Sequence, residues 1–96
     1  MQQTNPKRYS FSKYFLDIFE ERIGFSLTPD DKAYILGVCH QCEPHKKIDN
    51  KGRNSEYFTF RLNDVLITIV CDGNSHKIIT CIKETHHRKE FKCLYK

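Results

Sequence analysis

The chain has 96 residues, 39% of them hydrophobic, with seven Phe, five Tyr and a formal net charge of +4. That is enough apolar material for one modest core and too little chain for two, which excludes a two-domain protein and disorder throughout. Sixteen Lys and Arg against twelve Asp and Glu give a mild basic bias, compatible with a nucleic-acid partner without singling one out.

Residues 1–9, MQQTNPKRY, read as a flexible polar arm. A helix is predicted next, with Ser10 placed to cap it and Gly24 to stop it in a left-handed turn. Phe11, Phe15, Ile18 and Arg22 fall at helical spacing, widened by Tyr14 and Phe19, so this stripe is expected to face the core. Lys13, Asp17, Glu20 and Glu21 are left for water. The apolar patch YFLDIF is short and carries Asp17, so neither a secretory leader nor a membrane span is predicted. Five cysteines, an odd number, then point to reduced thiols in a cytoplasmic protein rather than a disulfide scaffold.

The second helix has a cleaner start. Thr28 is a good N-cap, Pro29 suits the first helical position, and Asp30 and Asp31 oppose the positive end of the helix. It should run to about Cys42 or Glu43, because Pro44 disfavours helix in the residue before it. The helical part is therefore 10–43. Residues 44–55, PHKKIDNKGRNS, read as a basic loop whose turn formers are Asn50 and Gly52.

From residue 56 the hydrophobic period changes from 3.6 to 2. EYFTFRL, VLITIVC and HKIITCIKE are predicted strands joined by ND and DGNS, and such short connections predict an antiparallel meander. Residues 91–95 are a candidate fourth strand. The expected fold class is α+β: one domain, 1–96, with two N-terminal helices packed on a three- to four-stranded antiparallel β-meander. If Asn63 and Asp64 form a two-residue turn, Leu62 faces Val65, Phe60 faces Ile67 and Phe58 faces Ile69, which builds an apolar face for the helices. The opposite face carries Tyr57, Thr59 and Arg61 across from Val70, Thr68 and Leu66. Without a bulge, Lys77, Ile79 and Cys81 join this second face and His76 and Thr80 join the first; a one-residue bulge at Gly73 exchanges the two sets.

The segment GVCHQCEPHKK concentrates the reactive side chains, with Cys39, His40, Cys42 and His45 followed by Lys46 and Lys47. Cys39 and Cys42 have the spacing of half a structural zinc site, but no second pair is well spaced. Cys71 and Cys81 are predicted on strands, and His86 or His87 with Cys93 would be an improvised partner. Ile35, Cys39 and Cys42 at helical spacing fit buried thiols better, and the C-terminal end of a helix disfavours a redox thiolate. No metal or cofactor is therefore predicted. His45 lies just past the helix, where a solvated ring is the ordinary expectation. Flanking ammonium groups nevertheless disfavour the imidazolium and keep neutral imidazole available for acid–base chemistry. Lys46, Lys47 and Arg53 can hold a phosphate. Arg61, in mid-strand between Phe60 and Leu62, must point away from both. It belongs either to a solvated sheet face or to a site that takes phosphate bidentately, with Tyr57 beside it to stack on a base. The basic run HHRK at 86–89 is most simply solvated.

Two helices, a basic segment and then YFTFRLNDVLITIVCDGNSHKIITCIKE resemble the small ribonuclease superfamily that contains barnase, EndoU, the tRNA-cleaving colicins and RelE-type toxins. The likeness runs from about Thr28 to Glu84. It lies in the order of elements, the arginine on the first strand and the threonine on the late strand HKIITCIKE. The resemblance implies a metal-independent endoribonuclease in which a ribose 2′-OH attacks the adjacent phosphorus to leave a 2′,3′-cyclic phosphate. It implies His45 as acid or base, Arg61 as the transition-state cation, and His76 and Thr80 as the second proton carrier and a phosphate donor. Lys46, Lys47, Arg53 and Tyr57 would bind the substrate, an RNA (tRNA, mRNA or rRNA). A cognate antitoxin or immunity protein is the implied protein partner. Two other classes fit the same residues: a non-catalytic RNA- or protein-binding module, and a small zinc-stabilised adaptor built on Cys39 and Cys42.

Overall fold

Thr28 opens the better defined of two helices with a full capping box: its hydroxyl accepts from Asp31 N, and the Asp31 carboxylate accepts from Thr28 N, both at 3.0 Å. With Pro29 in the first turn, this starts α2 (Pro29–Gln41), whose C-cap is Cys42. The preceding helix, α1 (Lys13–Ile23), ends at Gly24 in the left-handed conformation expected of it, φ 110°. Its N-cap is Ser12, not Ser10. Residues before it stay extended as β1 (Ser10–Phe11), with Ser10 N donating to His76 O, and Ser12 Oγ receives Phe15 N at 3.0 Å. Two further strands lie where strands were expected, β4 (Val65–Asp72) and β5 (Lys77–Lys83).

The computed structural model describes residues 8–84, and within them the predicted basic loop is not a loop. Lys46 to Asn50 form β2 (Lys46–Asn50), a hairpin partner of β3 (Arg53–Leu62). Lys51 and Gly52 both have positive φ, 54° and 84°, and close this hairpin as a two-residue turn of the mirror-image type. The strand was hidden because it has no apolar face of its own. Among the described residues it is an edge strand, where lysines are common because they discourage stray pairing.

Among the described residues the sheet therefore has five strands in the order β1-β5-β4-β3-β2, and it is mixed, since β1 runs parallel to β5. The α+β class holds, but the pure antiparallel meander does not. The pairing across Asn63 and Asp64 is as expected: Leu62 meets Val65, Phe60 meets Ile67, and both turn residues have positive φ. The irregularity further on falls opposite Val70 and Cys71 rather than at Gly73. Cys71 pairs with Ile78 but Val70 with Thr80, so Ile79 is the extra residue. Lys77 thus keeps the unbulged register, whereas Thr80 and Cys81 exchange faces.

Both helices cover one face of the sheet. Phe15, Phe19 and Ile23 of α1 and Ile35, Val38 and Cys39 of α2 pack with Phe58, Phe60, Ile67, Ile69, Cys71, Ile78 and Cys81. Each large side chain fully buried this way contributes about 1.5–3 kcal/mol. Tyr9, expected in the arm, is itself buried, between the rings of His40 and His76. The candidate strand at 91–95 and the histidines at 86 and 87 lie outside the described residues. Among the described residues no helix is long and apolar enough to cross a membrane.

Candidate functional site on the sheet face away from the helices

The face of the sheet turned away from the helices carries Tyr57, Thr59 and Arg61 of β3, alternating with the core residues Phe58, Phe60 and Leu62. Lys46 pairs with Tyr57 and brings its ammonium over the phenol ring, 5.4 Å from the centroid. His45, just ahead of β2, is tied to β3 by its own backbone, His45 N donating to Tyr57 O at 2.9 Å.

From His45 a chain of short hydrogen bonds crosses three strands. His45 Nε2 lies 2.8 Å from Thr59 Oγ1, Thr59 Oγ1 lies 2.8 Å from Thr68 Oγ1, and Thr68 donates to Glu84 Oε2 at 2.6 Å. Thr59 and Thr68 are only 1% and 3% exposed, so their hydroxyls must be satisfied within the protein. The direction of the chain follows from proton counting. A threonine hydroxyl has one hydrogen, and that of Thr68 goes to the carboxylate. Thr68 can then only accept from Thr59, and Thr59 can only accept from the ring. His45 therefore carries its proton on Nε2, and in the neutral ring Nδ1 holds the basic lone pair. A carboxylate orients an imidazole in the same sense in a catalytic triad, there by direct contact and here through two hydroxyls.

Arg61 is exposed and stands one alternation beyond Thr59 on the same strand and face, a step of about 7 Å. It pairs with Leu66, and Leu66 O receives Glu84 N at 2.9 Å, so Arg61 and Glu84 flank one β4 residue. On the other side of Tyr57 a groove of about 400 Å³ opens over Val70 and Ile79, with Arg53, Asn54, Ser55 and Asp72 on its walls. Asp72 is held below the usual carboxylate range, first by the backbone N–H of Asn74 and then by the Ser75 hydroxyl.

The structure thus places His45, Lys46, Tyr57 and Arg61 on one face, with Arg61 about 13 Å along β3 from Tyr57, and adds Glu84, which the sequence had not marked. Arg53 shares the groove but sits at the far end of the β2–β3 hairpin from His45. Lys47 pairs with Glu56 and so belongs to the other side of the sheet from Lys46. His76 packs its ring on Tyr9, 5.0 Å away, where Tyr9 also touches the core ring of Phe58. Thr80 does share the face of Tyr57, two strands away, but its hydroxyl accepts from Arg22 Nη1 at 2.8 Å. Neither His76 nor Thr80 is within the His45 cluster. The predicted Thr59–Thr68 pairing called for a further acceptor, but nothing in the sequence said that Glu84 would supply it.

Cys39 is buried in the same core cluster as Cys71, while Cys42 packs half-buried at its edge. Among the described residues no group of three or more His, Cys, Asp or Glu side chains is placed to hold a metal ion. No protein-family model, curated protein or solved structure matches the chain.

Proposed function

We propose that the protein is a metal-independent endoribonuclease of the cytoplasm that works on the face of its sheet turned away from the helices. The observation that carries this is the one-way hydrogen-bond chain from His45 to Glu84, set beside Lys46, Tyr57 and Arg61. An imidazole with a fixed tautomer and a carboxylate behind it is suited to remove a proton near neutral pH. In the proposed reaction His45 Nδ1 takes the ribose 2′-OH proton and the 2′-oxygen attacks the adjacent phosphorus. The P–O5′ bond breaks, and the departing oxygen takes a proton from the Lys46 ammonium, leaving a 2′,3′-cyclic phosphate. Arg61 offers two parallel N–H donors to the pentacoordinate phosphate, and Tyr57 stacks on a neighbouring base. Glu84 does not touch substrate. It positions His45 and steadies the imidazolium once formed.

The test is cleavage of labelled tRNA and total RNA in excess EDTA, with chain ends analysed. Cyclic-phosphate ends are expected, with the rate reduced about 100-fold or more in His45→Ala and Arg61→Ala. Intact RNA beside folded protein overturns the enzyme. If that RNA is nevertheless bound, with affinity falling steeply in salt, the face is a binding module instead.

A further inference from the structure

The outer strand of the sheet at the hairpin end, β2, reads Lys46-Lys47-Ile48-Asp49-Asn50 and, among the described residues, pairs on one side only, with β3. Lys47, Ile48 and Asp49 are all exposed, and Ile48 is 38% exposed on the face away from the helices. Lys47 and Asp49 lie on the other face, opposite Glu56 and Asn54. Among the described residues the one ion pair is Lys13–Asp17, on α1, so neither Lys47 nor Asp49 makes an ion pair there.

We propose that this edge pairs with its own copy, β2 against β2 in antiparallel register, to give a two-fold symmetric dimer in which the two sheets run on as one. A two-fold axis perpendicular to the sheet keeps each residue on its own face, so partners must be an even number of positions apart. Three centres are then available on the strand's interior. Centred on Lys47 the lysines face each other. Centred on Asp49 the aspartates do, and Lys47 meets Lys51. Centred on Ile48, Lys47 of each copy faces Asp49 of the other, twice, and the two isoleucines meet on the face away from the helices. One register of the three satisfies both charges and covers the exposed Ile48, and like charges directly opposite oppose the others. Charged edge residues that discourage indiscriminate pairing here admit one partner in one alignment. The dimer would join these faces of the two copies side by side, with Lys46, Tyr57 and Arg61 repeated across the axis. It is independent of whether that face cleaves RNA.

The test is sedimentation equilibrium on the full chain and three variants, with circular dichroism confirming the fold at these exposed positions. A five-residue edge is a small interface, so dimer is expected by about 0.5 mM chain. Lys47→Asp alone, or Asp49→Lys alone, sets two like-charge pairs across the axis and should raise the dissociation constant at least tenfold. The double exchange, Lys47→Asp with Asp49→Lys, restores opposite charges and should return it to within about threefold of the parent. That recovery is specific to this register. A monomer throughout the range overturns the proposal, and so does a dimer indifferent to the single reversals or not rescued by the exchange.

Discussion

The phenolic hydroxyl of Tyr9 donates to Glu56 Oε1 at 2.8 Å, joining two residues 47 positions apart, both of them buried. Glu56 lies on the helix side of β3, where a carboxylate without a donor would be costly. The bond thereby fastens the start of the described chain to the middle of the sheet. Tyr9→Phe keeps the ring and its contacts with His40, His76 and Phe58 but removes the donor. It should destabilise the fold by about 1–3 kcal/mol in urea unfolding at pH 7. Glu56→Gln retains an acceptor for the same hydroxyl and should cost less. An unchanged midpoint in Tyr9→Phe would remove this bond from the account of stability.

The same region makes the protein sensitive to alkali. Burial, reinforced by the bond to Glu56, raises the Tyr9 hydroxyl well above its usual range. The hydrogen bond with Cys39, then burial, raises the Cys71 thiol. Burial pushes Cys81 up to about 11, against a smaller opposing effect of Arg22. In all three the folded state holds its proton more tightly than the unfolded chain, so the unfolded state binds fewer protons as pH rises. The stability involved is present in full below about pH 8.5, falls as unfolded thiols ionise, and falls further above about pH 10 with tyrosine. Urea midpoints at pH 7, 8.5, 10 and 11 should decline in that order. Cys81→Ala, weaker at pH 7, should show a shallower decline between pH 8.5 and 11. A flat profile is the contrary result.

The His45–Glu84 chain predicts a tautomer. Long-range proton–nitrogen spectra of the histidine rings should show His45 protonated on Nε2 in its neutral form, against no such constraint in Thr59→Val. Thr68→Val should release the ring as well, although Thr68 does not touch it. Each single change leaves a hydroxyl or carboxylate without its partner and should cost about 1–3 kcal/mol, while the double change costs less than the sum because the two remove one shared chain. Nδ1 protonation of neutral His45 in the parent protein would contradict the proton count.

Much of this was legible in local chemistry, because caps and tight turns are written in neighbouring residues. Thr28 with Asp31, Gly24, and the Asn63–Asp64 turn with its three facing pairs all follow from short stretches. What escaped depends on contacts remote in sequence. Ser10 looked like a cap until its N–H was claimed by His76 O, 66 residues on, at the start of the adjacent strand β5. β2 lacks an apolar alternation because, among the described residues, it is an edge. The extra residue at Ile79 has no glycine or proline to announce it. Within the site, His45, Lys46, Tyr57 and Arg61 were visible as residue types in a plausible order. Glu84 was not, because its role exists only where β3, β4 and β5 lie side by side.

Two of the hairpin turns, β2–β3 and β3–β4, allow a test of backbone effects with opposite signs. Gly52 has φ 84°, and a Cβ placed there would meet nothing within 4 Å. Gly52→Ala therefore creates no clash, and its cost is conformational alone, about 1 kcal/mol for an L-residue held in the left-handed region. Asp64, at φ 65°, is an exposed L-residue already held there. Asp64→Gly turns the connection into Asn-Gly, the pair best suited to this turn, and should gain about 0.5 kcal/mol after the added freedom of the unfolded chain is subtracted. Both are read from urea unfolding at pH 7. Because β2 is joined to the sheet by the Gly52 turn, Gly52→Ala should also speed amide exchange in β2 more than in β4. Equal effects across the sheet would mean that the β2–β3 hairpin opens only with the whole domain.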